Sequence, residues 1–183
     1  MRKPEILVFA GPNGSGKSTI TQNVEIIGEY INADDIKKEL NCSDLEAAQK
    51  ATTLRENYVL ENKDFTFETV LSSRRNLDLL IKAKEQGYFI KCFYVITSNP
   101  YINIQRVLVR TEQGGHSVPD DKILSRYEKC KILLPELIDV CDVIHIYDNT
   151  VSPFRIFKKK KDLFQKWESK YWPIKQIEQL TNK

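Results

Sequence analysis

Apolar and polar positions along the chain switch between two periods, one suited to strands and one to helices. Ile6 to Ala10 is a short apolar run broken by Gly11-Pro12, as a buried strand would be, and from Thr19 the pattern continues as a helix that Gly28 ends. Tyr30-Ile31-Asn32 is a second short strand, leading into Ala33-Asp34-Asp35-Ile36 and a helix over 35–40. Asn41 to Asn62 has the signature of a long helix: Ser43 as N-cap, Glu46 three places on to complete a capping box, and Leu45, Leu54 and Tyr58 among its apolar positions. Asp64 to Thr69 alternates like a strand.

In the second half, Ser73 to Gln86 places Leu77, Leu80, Ile81 and Lys84 on one helical side, and Gly87 stops it. Tyr88 to Thr97 is apolar almost throughout, which suits a central parallel strand buried on both faces. Asn99-Pro100 starts a helix running to about Thr111, and Gly114-Gly115-His116 breaks the chain before another from Pro119, which Pro135 kinks or ends. Val143 to Tyr147 is the last strand of this pattern, closed by Asp148-Asn149. Beyond Pro153, Phe157, Phe164, Trp167 and Tyr171 share one side of a helical wheel, with Lys158 to Lys161 and Lys166 mostly on the other. The expectation is an α/β domain: a P-loop NTPase or kinase-like parallel sheet flanked by helices, its core over about 4–150, with a basic and aromatic helical tail over 151–183.

Composition adds limits rather than direction. With 183 residues, 41% hydrophobic and 29% charged, one domain can bury an adequate core, and a formal charge of +3 says little about partners. Cys42, Cys92, Cys130 and Cys141 lack C-x-x-C spacing, which speaks against a zinc site or a disulfide framework. Arg2-Lys3 precedes too short an apolar run for a signal peptide, and no stretch is long enough to span a bilayer, so a cytoplasmic protein is expected.

The chemistry starts between the first strand and the first helix. Gly11-Pro12-Asn13-Gly14-Ser15-Gly16-Lys17-Ser18-Thr19 is a complete P-loop, G-x-x-x-x-G-K-S. Its glycines let backbone N–H groups turn inward into an anion nest at a helix N-terminus, Lys17 reaches β and γ phosphates, and the Ser18 hydroxyl takes a Mg²⁺ position. Three further groups belong at the same sheet edge, where ligands bind in open α/β folds. Asp34 follows the second strand and suits a kinase's general base, although an Asp there serves equally as a helix cap. Glu68 and Thr69 end the third strand, where they suit hydrogen bonds to a substrate or an ordinary strand end. Arg106 and Arg110 stand four apart on one helix, with Arg126 on the next; guanidinium groups closing over a phosphoryl group stabilise its equatorial charge, while the bland alternative is a solvated basic face. His116, between a Gly-Gly hinge and Pro119, suits contact with phosphate or substrate as well as packing, whereas His145 alternates with Ile144 and Ile146 as a core residue does.

Taken in order, Gly-Pro-Asn-Gly-Ser-Gly-Lys-Ser-Thr at 11–19, Asn-Ala-Asp-Asp at 32–35, Phe-Glu-Thr at 67–69, Arg-Val-Leu-Val-Arg at 106–110, Gln-Gly-Gly-His-Ser-Val-Pro at 113–119, Arg126-Tyr127 and Tyr-Asp-Asn at 147–149 resemble the zeta-toxin family of P-loop kinases. The resemblance implies a kinase-like sheet, ATP or GTP with Mg²⁺ as donor, and transfer to a hydroxyl on the sugar of UDP-N-acetylglucosamine. It also implies Asp34 as general base, Glu68 orienting the sugar, Arg106, Arg110 and Arg126 as the cationic clamp, and a protein antitoxin as partner. No Leu-Ser-Gly-Gly-Gln signature of ABC ATPases is present. Two other readings stay open: a kinase for a nucleoside, antibiotic or polynucleotide hydroxyl, and a nucleotide-binding regulatory or nucleic-acid-binding protein using the lysines and aromatics of the tail.

Overall fold

The computed structural model describes residues 2–183. Seven strands form one sheet in the order β2-β3-β1-β4-β5-β6-β7. The first five are β1 (Glu5–Ala10), β2 (Glu29–Ile31), β3 (Phe65–Thr69), β4 (Phe89–Ile96) and β5 (Val143–Asp148), and each pairs parallel with its neighbour. The chain leaves β1 toward β3 and β2 on one side and returns to β4 and β5 on the other, so the direction of winding reverses beside the C-terminal end of β1. That crevice is where open parallel sheets bind ligands.

One face of the sheet carries the larger core. Ile6, Val8, Phe65, Phe67, Ile144 and Ile146 meet side chains from α3 (Asp44–Leu60), α4 (Arg74–Glu85), α6 (Asp120–Val140) and α7 (Ile174–Thr181). The opposite face has a smaller cluster, in which Leu7, Phe9, Phe93 and Val95 meet Ile20 of α1 (Lys17–Thr21) and Val24 and Ile27 of the loop after it. β1 and β4 are buried on both faces along most of their length, which explains their mostly apolar runs; half-buried Lys91 is the charged residue within β4.

Most expected elements are present with their caps. The Ser43–Glu46 capping box opens α3, and Asn99 with Pro100 at the first position opens α5 (Pro100–Glu112). Several details differ. The helix after the P-loop ends at Thr21, where tight turns from Asn23 to Ile20 and from Val24 to Thr21 wind it off. Gly28 is therefore no helix terminator; it passes so close to the Asp64 carbonyl that a side chain there would collide with it. In α3 the buried positions are Ala47, Ala51, Arg55 and Val59, and Leu45 is exposed. Pro135 lies inside α6, which continues to Val140.

The largest correction concerns the tail. Residues 154–166 are a β-hairpin, β6 (Phe154–Lys160) and β7 (Leu163–Lys166), added antiparallel to β5, so β5 is the last parallel strand and not the last strand; only Ile174–Thr181 is helical. The lysine run hid a strand because its side chains divide between faces. Phe157 is fully buried in the main core, and buried Lys159 donates to the carbonyls of Ile138 (2.6 Å) and Asp139 (3.0 Å) at the end of α6, whereas Lys158 and Lys160 turn the other way. The free hydrogen-bonding edge of β5 accounts for the change: left uncovered it would expose a row of unpaired backbone groups, and the hairpin satisfies them.

Candidate active site

The P-loop starts level with the ends of its two neighbours, since Ala10 stands opposite Thr69 and Tyr94 in the sheet register. The Gly11 N–H donates to the Thr69 carbonyl at 3.2 Å, which ties the loop to β3. Two asparagines brace the loop from outside. Asn103 of α5 donates to the Asn13 carbonyl at 2.7 Å, and Asn149, just past β5, donates to the Ser15 carbonyl at 2.9 Å. Both fit only because glycine faces them: Gly14 (φ +73°) leaves no room for a Cβ beside the Asn103 backbone, nor does Gly16 (φ +87°) beside the Asn149 amide. Asn103 does not stand out in the sequence, and the Tyr-Asp-Asn motif that contains Asn149 does not show that its last residue reaches the P-loop, since each acts from a distant element.

Inside the loop the Ser15 hydroxyl is fully buried with no protein partner among the described residues. Lys17 is also buried; its ammonium donates to the carbonyls of Gly11 (2.9 Å) and Pro12 (3.3 Å) and pairs with Glu68 at 3.6 Å. Burial pulls its pKa down, and the Glu68 carboxylate opposes that shift. Ser18 and Thr19 are exposed at the start of α1.

A cleft of about 660 Å³ opens beyond Lys17. Its lining carries carboxylates, Asp34 from α2 (Ala33–Leu40), Glu68 from β3 and Asp44 from α3, and cations, Arg110 from α5 and Lys122 and Arg126 from α6. Thr69 and His116 also line it. Asp34 is not needed as the cap of α2, because the Asn32 side chain accepts the Asp34 backbone N–H at 2.9 Å. The Glu68 carboxylate accepts from the Tyr30 hydroxyl at 3.2 Å. Thr69 is more structural than expected: its hydroxyl accepts from the Leu71 N–H (3.0 Å) and from Asn76 (2.8 Å), leaving only its own proton to offer.

The arginines separate. Arg126 donates to the Asn13 side chain at 3.1 Å, tying α6 to the P-loop, and Arg110 donates to the His116 carbonyl at 2.8 Å, holding the Gly-Gly-His turn over the cleft mouth. Arg106 does not line the cleft. It reaches the Thr150 carbonyl at 3.2 Å, and its other terminal nitrogen is buried without a partner among the described residues. Asp148 turns the chain after β5, accepting the Thr150 N–H at 2.9 Å. His145 is half-buried on the smaller-cluster side of the sheet, against Phe93. Asp44 and Lys122 went unnoticed as cleft residues because nothing in their local pattern differs from ordinary helix-start or surface positions.

No protein-family model matches the chain. An uncharacterized protein of Haemophilus influenzae is 29% identical over 127 residues, covering 66% of this chain and 91% of that protein. Among solved structures, a chain from the PezAT chromosomal toxin-antitoxin system of Streptococcus pneumoniae superposes with a TM-score of 0.57 at 17% identity, covering 85% of this chain and 72% of that one. The chain has a zeta-toxin-like P-loop kinase fold. A chain of the AvrRxo1-ORF1:-ORF2 complex with ATP shares this kinase-type fold with a TM-score of 0.74 at 13% identity; the match covers 98% of this chain and 64% of that one. A chain of the Pnkp1/Rnl/Hen1 RNA repair complex matches with a TM-score of 0.57 at 18% identity, over 72% of this chain and 45% of that one.

Proposed function

We propose that this protein is a kinase that moves the γ-phosphoryl group of ATP or GTP to a hydroxyl of a small molecule, with the sugar of a nucleotide sugar such as UDP-N-acetylglucosamine as acceptor. The observation that carries the reading is the position of Asp34: relieved of capping by Asn32, it lines the same cleft as Lys17, Arg110 and Arg126. In this reading Asp34 accepts the acceptor hydroxyl's proton as that oxygen attacks the γ-phosphorus and the nucleoside diphosphate leaves. Lys17 and the backbone N–H groups of residues 13–19 hold the donor phosphates, and the buried Ser15 hydroxyl supplies a further donor inside the nest. Arg110 and Arg126 neutralise charge on the transferring group, and Glu68, with Thr69 and His116, orients the acceptor.

Arg106 lies beside Thr150 rather than on the cleft wall, which leaves the clamp to Arg110 and Arg126. Ser18, exposed on the first turn of α1, fits as the protein's oxygen ligand for Mg²⁺, which when bound neutralises charge on the β and γ oxygens. The chain acts as one P-loop kinase-like domain in the cytoplasm. The PezAT relative is a toxin-antitoxin system and the AvrRxo1 relative a complex with a second component, which supports a protein antitoxin as partner.

The test is acceptor-dependent transfer of label from γ-labelled ATP or GTP across a panel headed by UDP-N-acetylglucosamine and including nucleosides, aminoglycosides and oligonucleotide ends. Transfer abolished in Asp34→Asn, with nucleotide binding intact, is the expected result. Hydrolysis without any acceptor dependence removes the kinase reading.

A further inference from the structure

The sheet has a second surface, away from the cleft beyond Lys17, with a groove that starts beside Thr19 at the end of the P-loop. Along β5, Val143, His145 and Tyr147 are only half-buried, while Ile144, Ile146 and Asp148 between them are buried, so one face of this strand is covered and the other open. The cluster on the open side draws its helical cover from α1 and the loop after it, and these residues stand over β1 and β4. The register extends the open face across four strands. Lys91 stands beside Val143, Phe93 beside His145, and His145 beside Lys158; Tyr147 stands beside Arg155 and Lys158 beside Gln165. An irregularity between Ile146 and Tyr147 gives β6 one extra residue, which sends Ile156 and Phe157 into the core and leaves Arg155 and Lys158 outside.

The chemistry of this face is of one kind. Its outward positions on β4 to β7 hold the cations Lys91, Arg155, Lys158 and Lys160 and no carboxylate; Glu25, across the groove beside α1, and Glu5, on the same face of β1 opposite Phe89, are acids at its border. None of the four cations takes part in an ion pair among the described residues. Rings are interleaved with them: Phe93, His145 and Tyr147 lie within 27° of parallel at centroid distances of 5.1, 6.4 and 6.5 Å. The Lys91 ammonium sits 5.0 Å from the Phe93 ring, and the Arg155 guanidinium 4.6 Å from the Trp167 ring. A groove of about 680 Å³ runs along Lys91, Phe93 and Tyr147. Burial, with Arg155, Lys158 and Lys91 nearby, lowers the His145 pKa to about 4, so its ring stays neutral among the cations at physiological pH.

Protein-binding surfaces are depleted of charge at their centre, whereas unpaired cations alternating with rings match a chain that carries a phosphate and a flat base in every unit. We propose that the open face of β4–β7 binds single-stranded nucleic acid, its phosphates held by Lys91, Arg155, Lys158 and Lys160 and its bases resting on the half-exposed rings of Tyr147 and Trp167. A single strand is specified because bases paired inside a duplex cannot reach rings on an open sheet. The four strands span about 14 Å, room for a few nucleotides.

The probe is a fluorescein-labelled 12-mer of mixed sequence, as RNA and as DNA, titrated with the full chain and followed by anisotropy and Trp fluorescence. Saturable binding is expected, with log K falling against log salt at a slope of about −3 for four phosphates on a single strand, and with quenching of Trp fluorescence. The combined variant Lys91→Ala/Arg155→Ala/Lys158→Ala should weaken binding more than tenfold while melting temperature and binding of a fluorescent ATP analogue stay unchanged. Trp167→Leu, with every cation kept, should weaken it severalfold and abolish most of the quenching, which covers the case in which the combined variant fails to fold. No saturable binding at low salt, or binding unaltered in both variants, overturns the proposal. So does equal affinity for the duplex, and so does displacement by poly-glutamate at equal charge, which would make the face a site for an acidic protein.

Discussion

The Lys17 ammonium lies 3.6 Å from the Glu68 carboxylate, while it donates to two carbonyls of its own loop. On the proposed reading, the lysine meant for the donor's phosphates is thereby held at the border between donor nest and acceptor cleft, with Glu68 beside it.

The two residues should separate in a binding experiment. Lys17→Met is expected to weaken nucleoside triphosphate binding by about 2–3 kcal/mol, the loss of a charge-assisted phosphate contact. Glu68→Gln should leave donor affinity within about threefold, near 0.6 kcal/mol, and reduce acceptor-dependent turnover. Calorimetric titration of the donor together with steady-state transfer assays reads both, and a Glu68→Gln protein that transfers normally removes Glu68 from the acceptor side.

Asn32 caps α2 and Asp34 is the proposed base, so their variants should diverge. Asn32→Ala is expected to cost about 1 kcal/mol of stability, as loss of an N-cap does. Asp34→Asn should leave the urea midpoint nearly unchanged and cut transfer by about a hundredfold or more. Loss of stability from Asp34→Asn equal to that from Asn32→Ala would return Asp34 to a structural role.

Asn149 supports the P-loop from the far end of β5. Removing its amide in Asn149→Ala leaves the buried Ser15 carbonyl without that donor, a cost of about 1–3 kcal/mol. Because the strain falls on the nest, donor affinity should fall by more than the affinity for an acceptor, which calorimetry resolves. Gly16→Ala should damage donor binding further, since it adds both a collision with Asn149 and an unfavourable left-handed backbone.

His145 gives stability a pH dependence whose sign is fixed. Its folded pKa is lowered from 6.5 to about 4, first by burial and then by Arg155, Lys158 and Lys91. Between those values the unfolded chain binds more protons than the folded one, so stability rises as pH goes from 4 to 6.5 and falls as acid is added. Solvent reaches part of the ring, so the expected contribution is on the order of 1 kcal/mol. Urea midpoints at pH 4.5 and 7 for wild type and His145→Phe should show a smaller pH difference in the variant; equal differences would remove His145 as a source.

The sequence by itself determined the P-loop, the order of the parallel strands' hydrophobic runs, and most helix starts, because each of these is written in contiguous residues whose backbone or period needs are local. Gly14 and Gly16 have the positive φ the nest requires, Ser43 with Glu46 closes its capping box, and β4, with its mostly apolar run, is central. What only the tertiary structure decided was which distant groups meet. Arg106 and Arg110 share a helix face in the sequence, yet one reaches Thr150 and the other the cleft, because the chain after β5 passes on one side of α5 and the Gly-Gly-His turn on the other. The lysine-rich tail suits a helix until the bare edge of β5 is available to it; pairing a strand edge outweighs a weak helical period. That edge is built from a strand elsewhere in the chain, so no local window of the tail contains the reason it folds as a hairpin.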